Sequence, residues 1–448
     1  MSSTITVLGA GYVGLSTAAL LAQAGFKVHL VEPNPTRLDT IKQGRSFFFE
    51  AGLDPIIKLG IDSGNLLPTD SYEASVPESD FVFSCVGTPD NPDGSSNLSY
   101  VHLAAETAFK LMKPDAIYIQ KSTVPVGTGQ KLIETFGFDA GRYVSNPEFL
   151  RESTALQDTL WFDRVVCGGS DEQTLARVVD IYKTLEACRD EIAMHAGIDK
   201  STAAGSYITT DLNSAELIKV TANAFLALKI SFANSIAKLS DAVGADINGI
   251  MDAVGADKRI GRAFLNAGRG YGGGCFPKDV SGLISSGLEH GIDLEIMQAA
   301  QQVNESMPGY VIEKLKDRLG GSLSGKRIAV LGLAFKKGTS DTRKSPGVKI
   351  ANLLDTFDVE VLAYDPQALE EAKEDLRRSV VLHTSIEEAL VDCDAVVLAT
   401  DWEELMGSPA HVFADHLNPG AVVIDAVNAY KNYIDLENLG FDYTGIGR

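Results

Sequence analysis

Cys275 ends a run of nearly bare backbone, GRGYGGGC, and Lys278 and Asp279 follow it at three and four positions. Five of the seven residues from Gly268 to Gly274 are glycine. Such a run would let a bulky substrate reach sulfur without side-chain hindrance. Lys278, and any helix starting here, would favour the thiolate, the nucleophilic form. A thiolate of this kind adds to carbonyl carbon and forms covalent intermediates. The plainer alternative is a small core residue, the usual fate of a cytosolic cysteine. Cys85, Cys167, Cys188 and Cys393 are read that way.

Two further pairs have spacing that could serve chemistry. Lys219 and Asn223 lie four apart in a helical pattern with apolar flanks, so they share one face. Together they could stabilise an alkoxide or oxyanion as charge develops. Glu148 and Glu152, in NPEFLRES, are also four apart, and Pro147 is well placed to open a helical turn. Acids in a first turn are often only dipole-compensating residues.

These groups need elements to position them. TITVLGAGYVGLSTAALLAQAGFKVHLVEPN reads strand, glycine turn, helix, strand, with Gly9, Gly11 and Gly14 forming GxGxxG and Glu32 closing the second strand. The glycines allow a tight turn, close approach of a pyrophosphate and close helix–strand packing, while the helix N-terminus offers unpaired N–H groups. Glu32 can accept from ribose hydroxyls and would repel a 2′-phosphate, which favours NAD over NADP. With a nicotinamide in place, an adduct on Cys275 could lose a hydride and become a thioester.

The α/β rhythm continues through DFVFSCVGTP, AIYIQKSTVPVGT and RYVSNPEFL, which place Thr88, Thr123 and Glu148 at the carboxyl ends of strands, where ligands sit in open parallel sheets. From about Ser201 the period changes. Leu217, Val220, Ala224, Leu228 and Phe232 recur at helical steps in a long proline-free stretch suited to symmetric pairing of two chains. After GGSLSG, a second strand-and-glycine theme begins at KRIAVLGLAF, but its turn is incomplete (Gly332, then Ala334), so no second dinucleotide is expected there. The fold class is therefore α/β: two doubly wound, Rossmann-like domains joined by a central helical domain with one long helix. The boundaries fall at 1–200 for the dinucleotide domain, 201–305 for the helical, dimer-forming domain and 320–448 for the second sheet domain.

Bulk properties narrow the partners. A formal charge of −21 over 448 residues disfavours nucleic acid, so an anionic small molecule needs a local basic cluster. No stretch of about 18 apolar residues suggests a membrane span, and no signal peptide is expected. Five scattered cysteines without CxxC spacing argue against disulfides and structural zinc and fit a reducing cytoplasm.

The motifs GAGYVG, KSTVPVGT, NPEFLRESTA, ELIKVTANAFLA, KRIG, GYGGGCFPKD and LGLAFKKGTSDTR follow one another across essentially the whole chain. In these it resembles the UDP-glucose 6-dehydrogenase family, within the wider UDP-glucose/GDP-mannose dehydrogenases. The resemblance implies oxidation of the C6 alcohol of a nucleotide sugar to a carboxylate, with two NAD consumed. It implies Cys275 as the nucleophile, Lys219 and Asn223 at the oxyanion, Asp279 and Thr123 orienting water and acid–base groups, and Glu148 as the base for thioester hydrolysis. Glu148, Phe149, Leu150, Arg151 and Glu152, then Phe264, Leu265, Asn266, Ala267, Gly268 and Gly272, would line the sugar-nucleotide pocket.

By the same resemblance, Lys336 would reach the nucleotide. Arg259 would bind the diphosphate, even from a partner subunit of a homodimer built on the central helix. Tyr12 belongs to the dinucleotide turn. Val13, Glu32, Arg37, Thr88, Thr123, Glu152, Lys278 and Arg343 would contact NAD. Lys219, Arg259, Lys278, Lys336 and Arg343 then form the basic cluster that an acidic protein needs for an anionic ligand. The stretch RIGRAFLNAGRGYGGGCFPKD is closer to the UDP-glucose branch than to those for GDP-mannose or UDP-N-acetylhexosamines. Two departures stand out: Ala426-Val427 where Gly-Arg is common, and Ser235 where Glu is common. A non-catalytic sensor would be expected to have lost one of Cys275, Lys219, Asn223, Asp279 or Glu148. A two-electron 3-hydroxyacid dehydrogenase would need no thiol.

Overall fold

The computed structural model describes residues 3–448. The chain divides into two compact units, the first ending at Ala222 and the second running from Asn223 to Arg448.

In the first unit, strands β1 (Thr4–Leu8), β2 (Lys27–Val31), β3 (Leu66–Thr69), β4 (Phe81–Ser84), β5 (Ile117–Gln120), β6 (Tyr143–Ser145), β7 (Arg164–Gly168) and β8 (Ser206–Thr210) make one sheet. Their order is β3-β2-β1-β4-β5-β6-β7-β8. All neighbours pair parallel except β6 with β7. The central strands are short Val/Ile/Phe runs buried along their length, as expected where helices cover both faces. Helix α1 (Tyr12–Gln23) follows β1, α2 (Thr128–Phe136) follows the turn after β5, and α3 (Glu172–Ala196) follows β7. Strand order reverses between β1 and β4, which makes that edge the switch point. β8 lies in the stretch that the sequence reading gave to the helical region; Arg164↔Ser206 pairing adds it to this sheet.

Helix α4 (Leu212–Val243) begins in the first unit and ends in the second. Among the described residues it is the one helix long and apolar enough to cross a membrane. Yet its inward face carries polar groups bonded to protein: Glu216 accepts from Gly127 and Gly129, Ser231 donates to Ala300 O at 2.7 Å, and Asn234 accepts from Gly268 at 2.8 Å. Of the apolar series read from the sequence, Val220 and Ala224 are buried, whereas Leu217 and Phe232 are exposed. Ser235 sits on the exposed side and donates to Ser231 O, one turn back.

The second unit continues with α5 (Phe276–Glu289) and α6 (Glu295–Arg318). Its sheet comprises β9 (Lys326–Leu331), β10 (Val359–Tyr364), β11 (Val381–Leu382), β12 (Ala395–Leu398), β13 (Val422–Asp425) and β14 (Asp442–Gly445). The order is β11-β10-β9-β12-β13-β14, all parallel, with the switch point between β9 and β12. Helix α7 (Pro346–Leu354) packs beneath β9 and β10. Its start corrects the view that the second glycine turn is incomplete. A Cβ at Gly347 would lie 2.2 Å from Gly332 O, so the closing glycine exists but stands after an intervening loop, 333–345.

Candidate active site

In the first unit, Gly9 adopts φ +89°, and a Cβ at Gly14 would lie 1.9 Å from Gly9 O, which fixes α1 against the turn. A Cβ at Gly11, the residue capping α1, would meet nothing within 4 Å. The open space in front of the helix N-terminus suits the pyrophosphate of NAD. Glu32 is buried after β2 and accepts from Asn34 N at 2.9 Å and Ala10 N at 3.3 Å. Val13 is half-buried, and the Arg37 guanidinium lies 4.8 Å over the Phe47 ring. Thr88 and Thr123 are half-buried in the turns after β4 and β5. Ser122 ties those turns together by donating to Val86 O at 2.7 Å.

The Tyr12 side chain stacks on Phe48 and donates its hydroxyl proton to the Glu50 carboxylate, so the phenol serves the protein. Glu50 also accepts from Ser153 N at 2.9 Å and Ala155 N at 2.8 Å. Burial pushes the Glu50 carboxyl and the Tyr12 phenol both upward. These bonds hold the 148–154 segment in a non-helical path, with Ser153 at φ +74°. The helical turn expected after Pro147 therefore does not form: the next helix starts at Ala155, and Glu148 and Glu152 share no helical face. Arg151 is exposed and forked onto Asp158 at 2.5 and 3.0 Å. Leu150 N donates to Glu148 at 2.7 Å, and Glu152 is half-buried.

Lys219 meets Glu148 at 3.2 Å, with both side chains buried. The Phe149 ring has two cations near it, the Arg164 guanidinium at 3.8 Å and the Lys219 ammonium at 5.5 Å. A second buried cation lies behind this turn. Lys121 donates to Tyr182 at 3.0 Å, Tyr182 donates to Asn146, and Asn146 donates to Val166 O at 2.8 Å. Burial alone would lower the Lys121 ammonium, but Tyr182, Cys85 and Glu148 together raise it, so it stays charged. One turn before Lys219, Glu216 accepts from Gly127 N at 2.6 Å and Gly129 N at 2.8 Å and clamps the turn that carries Thr123. Burial raises its carboxyl to about 7 against the lowering effect of those two N–H groups.

In the second unit, Cys275 is exposed and caps α5, whereas Cys85, Cys167 and Cys393 are buried. Burial pushes those three thiols up to about 12, 12 and 11. Asp279, in the first turn of α5, accepts from Asn223 Nδ2 at 2.6 Å and from Lys278 Nζ at 2.8 Å, one donor per oxygen. Asn223 thus joins Asp279 and Lys278 in one network.

The glycines before Cys275 turn out to face protein. A Cβ at Gly272 would lie 2.5 Å from Lys344 O, at Gly273 2.8 Å from the Phe335 ring and at Gly274 2.7 Å from the Arg343 guanidinium. Bare backbone here lets the segment seat against the loop after β9. Phe264 adopts φ +65°, Leu265 and Ala267 are buried, Asn266 accepts from Arg262 at 2.8 Å, and Gly268 rests on Ala426 O. The Lys336 ammonium lies 5.7 Å over the Phe335 ring.

The expected basic cluster is largely paired within the chain. Lys219 holds Glu148, Arg259 holds Asp257, Lys278 holds Asp279 and Arg343 holds Asp341. Arg259 is also the most exposed of these, with its side chain 88% accessible. Sequence reasoning passed over Glu50, Lys121, Glu216 and Arg269. Glu50 and Arg269 carry no spacing signal. Lys121 and Glu216 stand inside quoted motifs, where a buried charge next to a Gly or Thr turn was the available clue.

The chain matches the NAD-binding domain of the UDP-glucose/GDP-mannose dehydrogenase family over residues 3–186, its central domain over 213–306 and its UDP-binding domain over 329–432. It is 37% identical over 454 residues to UDP-glucose 6-dehydrogenase YwqF of Bacillus subtilis, covering 99% of this chain and 97% of that one. Among solved structures, a UDP-glucose dehydrogenase from Pyrobaculum islandicum matches with a TM-score of 0.88 at 35% identity, covering 100% and 98% of the two chains. A UDP-D-ManNAc dehydrogenase from Pyrococcus horikoshii matches at 0.84 with 27% identity, covering 99% of each.

Proposed function

The chain belongs to the UDP-glucose/GDP-mannose dehydrogenase family, and from that premise we propose that it oxidises the C6 alcohol of UDP-glucose to the carboxylate of UDP-glucuronate. It is an NAD-dependent oxidoreductase acting on a nucleotide sugar. Bound at the Gly9–Gly14 turn, NAD supplies the hydride acceptor, one equivalent for each two-electron stage.

The observation that carries the reading is an exposed Cys275 at the start of α5, one turn from the Asn223–Asp279–Lys278 network, while Cys85, Cys167 and Cys393 are buried. In the first stage the C6 alcohol loses a hydride and a proton and becomes an aldehyde. The Cys275 thiolate then bonds to that carbon while the aldehyde oxygen takes up a proton, giving a thiohemiacetal, and loss of that proton together with the remaining C6 hydrogen as hydride leaves a thioester. Water attacks the thioester carbon, Glu148 takes the proton, and the Cys275 thiolate departs as the carboxylate forms. Lys219, fixed by its ion pair with Glu148, neutralises the developing oxyanion together with Asn223. Asp279 and Thr123 orient the water and the proton donors.

Helix α4 also carries exposed Phe225, Phe232, Leu239 and Val243, which suits pairing of two copies into a dimer in the cytoplasm. Sedimentation of the purified chain tests that assembly. The function is tested by counting NADH against a panel of UDP- and GDP-sugars. Two NADH per UDP-glucose, with uronate as product, supports the proposal; one NADH per sugar, or turnover confined to another sugar, overturns it.

A further inference from the structure

We infer that Arg269 is a diphosphate-binding residue at the switch point of the second sheet, and that it sets the preference for a nucleoside diphosphate over the bare nucleoside. The inference rests on the reading that the second unit takes the nucleotide of a nucleotide sugar. Its guanidinium is held between two strand ends. Nη2 donates to Phe335 O, after β9, at 2.9 Å and to Thr400 Oγ1, after β12, at 3.3 Å, while Nη1 donates to Gly270 O at 3.4 Å. β9 and β12 flank the point where strand order reverses, and ligands of open α/β sheets sit in that crevice.

The charge there has no counter-ion. Arg269 is 5% exposed, its three acceptors are neutral oxygens, and its Nε has no partner. A buried cation left uncompensated is strongly unfavourable, so an anion arriving at this point gains more than it would beside a surface arginine. The two carboxylates that act on it from a distance are committed elsewhere. Asp365 accepts from the N–H groups of Leu333, Ala334, Gln367 and Ala368 and from the Trp402 indole, and Asp401 faces Lys337 at 3.7 Å. The turn after β13 is Ala426-Val427, which offers no charge, and Arg269 N donates to Ala426 O at 2.8 Å. The arginine is therefore fastened to the uncharged rim of the crevice that needs a cation.

The test is calorimetric titration of the full chain with UDP and with uridine. Wild type should bind UDP more tightly than uridine, and Arg269→Gln should cut that ratio by roughly tenfold, with uridine and NAD affinities unchanged. Arg269→Lys, which keeps the charge but loses the planar fork, should retain part of the ratio. A ratio unchanged in either folded variant overturns the assignment of Arg269. Wild type that binds neither UDP nor uridine overturns the nucleotide-sugar reading itself. Should Arg269→Gln fail to fold, the Lys variant decides.

Discussion

The two glycine turns use one packing device to opposite ends. Gly14 in the first unit and Gly347 in the second each bring a helix so close to a preceding glycine carbonyl that a Cβ would lie 1.9 or 2.2 Å from it. In both, the earlier glycine is left-handed, Gly9 at φ +89° and Gly332 at +106°. The acids that follow the second strand of each theme then part ways. Glu32 takes one N–H of its turn, Ala10 N at 3.3 Å, whereas Asp365 takes two, Leu333 N at 2.7 Å and Ala334 N at 2.9 Å, backbone donors a phosphate would otherwise use. The second turn thus has fewer backbone N–H groups left to offer an anion than the first. Fold alone does not predict which ligand a doubly wound sheet takes.

The largest expected effect separates the two units most sharply. Cys275→Ala should lower uronate formation by roughly a thousandfold or more while leaving NAD affinity intact, measured by coupled NADH release and by cofactor titration. Next, Gly14→Ala and Gly347→Ala should each destabilise by about 1–3 kcal/mol in denaturant melts, because the carbonyl facing the new methyl cannot move freely. Their binding losses should differ: Gly14→Ala loses NAD, Gly347→Ala loses UDP. Loss of the same ligand in both would break the comparison.

An effect of similar size is set by pH. Glu216 has a folded-state value near 7, above its ordinary 4.5, so the native chain holds the extra proton between those values. Its contribution is therefore complete below about 4.5 and falls by about 3 kcal/mol as pH rises to 7. Glu216→Gln should remove that slope from a stability-against-pH series. Smallest is Arg259→Ala. Its pair with Asp257 is solvent-exposed, so the melting midpoint should stay in place while nucleotide-sugar binding weakens severalfold.

Periodicity and glycine spacing made the fold legible: strand–turn–helix units at Gly9 and Gly332 and the long helix from Leu212 need only local pattern. The path of residues 148–154 was not legible. Spacing suggested a helical turn, but a distant buried carboxylate, Glu50, holds Ser153 and Ala155 in another conformation. The short strand Ser206–Thr210 was missed although Tyr207, Ile208, Thr209 and Thr210 favour a strand; what the sequence did not show was its parallel partner, Arg164–Gly168. The glycines before Cys275 were visible, but the partner they approach, the loop at Phe335 and Arg343, lies far along the chain.

Because Gly332 and Gly347 are locked against each other, the 333–345 insertion starts and finishes at nearly one point in space. Closing such an excursion costs entropy that grows only with the logarithm of its length, about 0.6 kcal/mol per doubling. The excursion is nevertheless packed, seating Gly272–Gly274 and lending Phe335 O to Arg269, so a change in its length would be felt at the segment leading to Cys275 as well as at the second sheet.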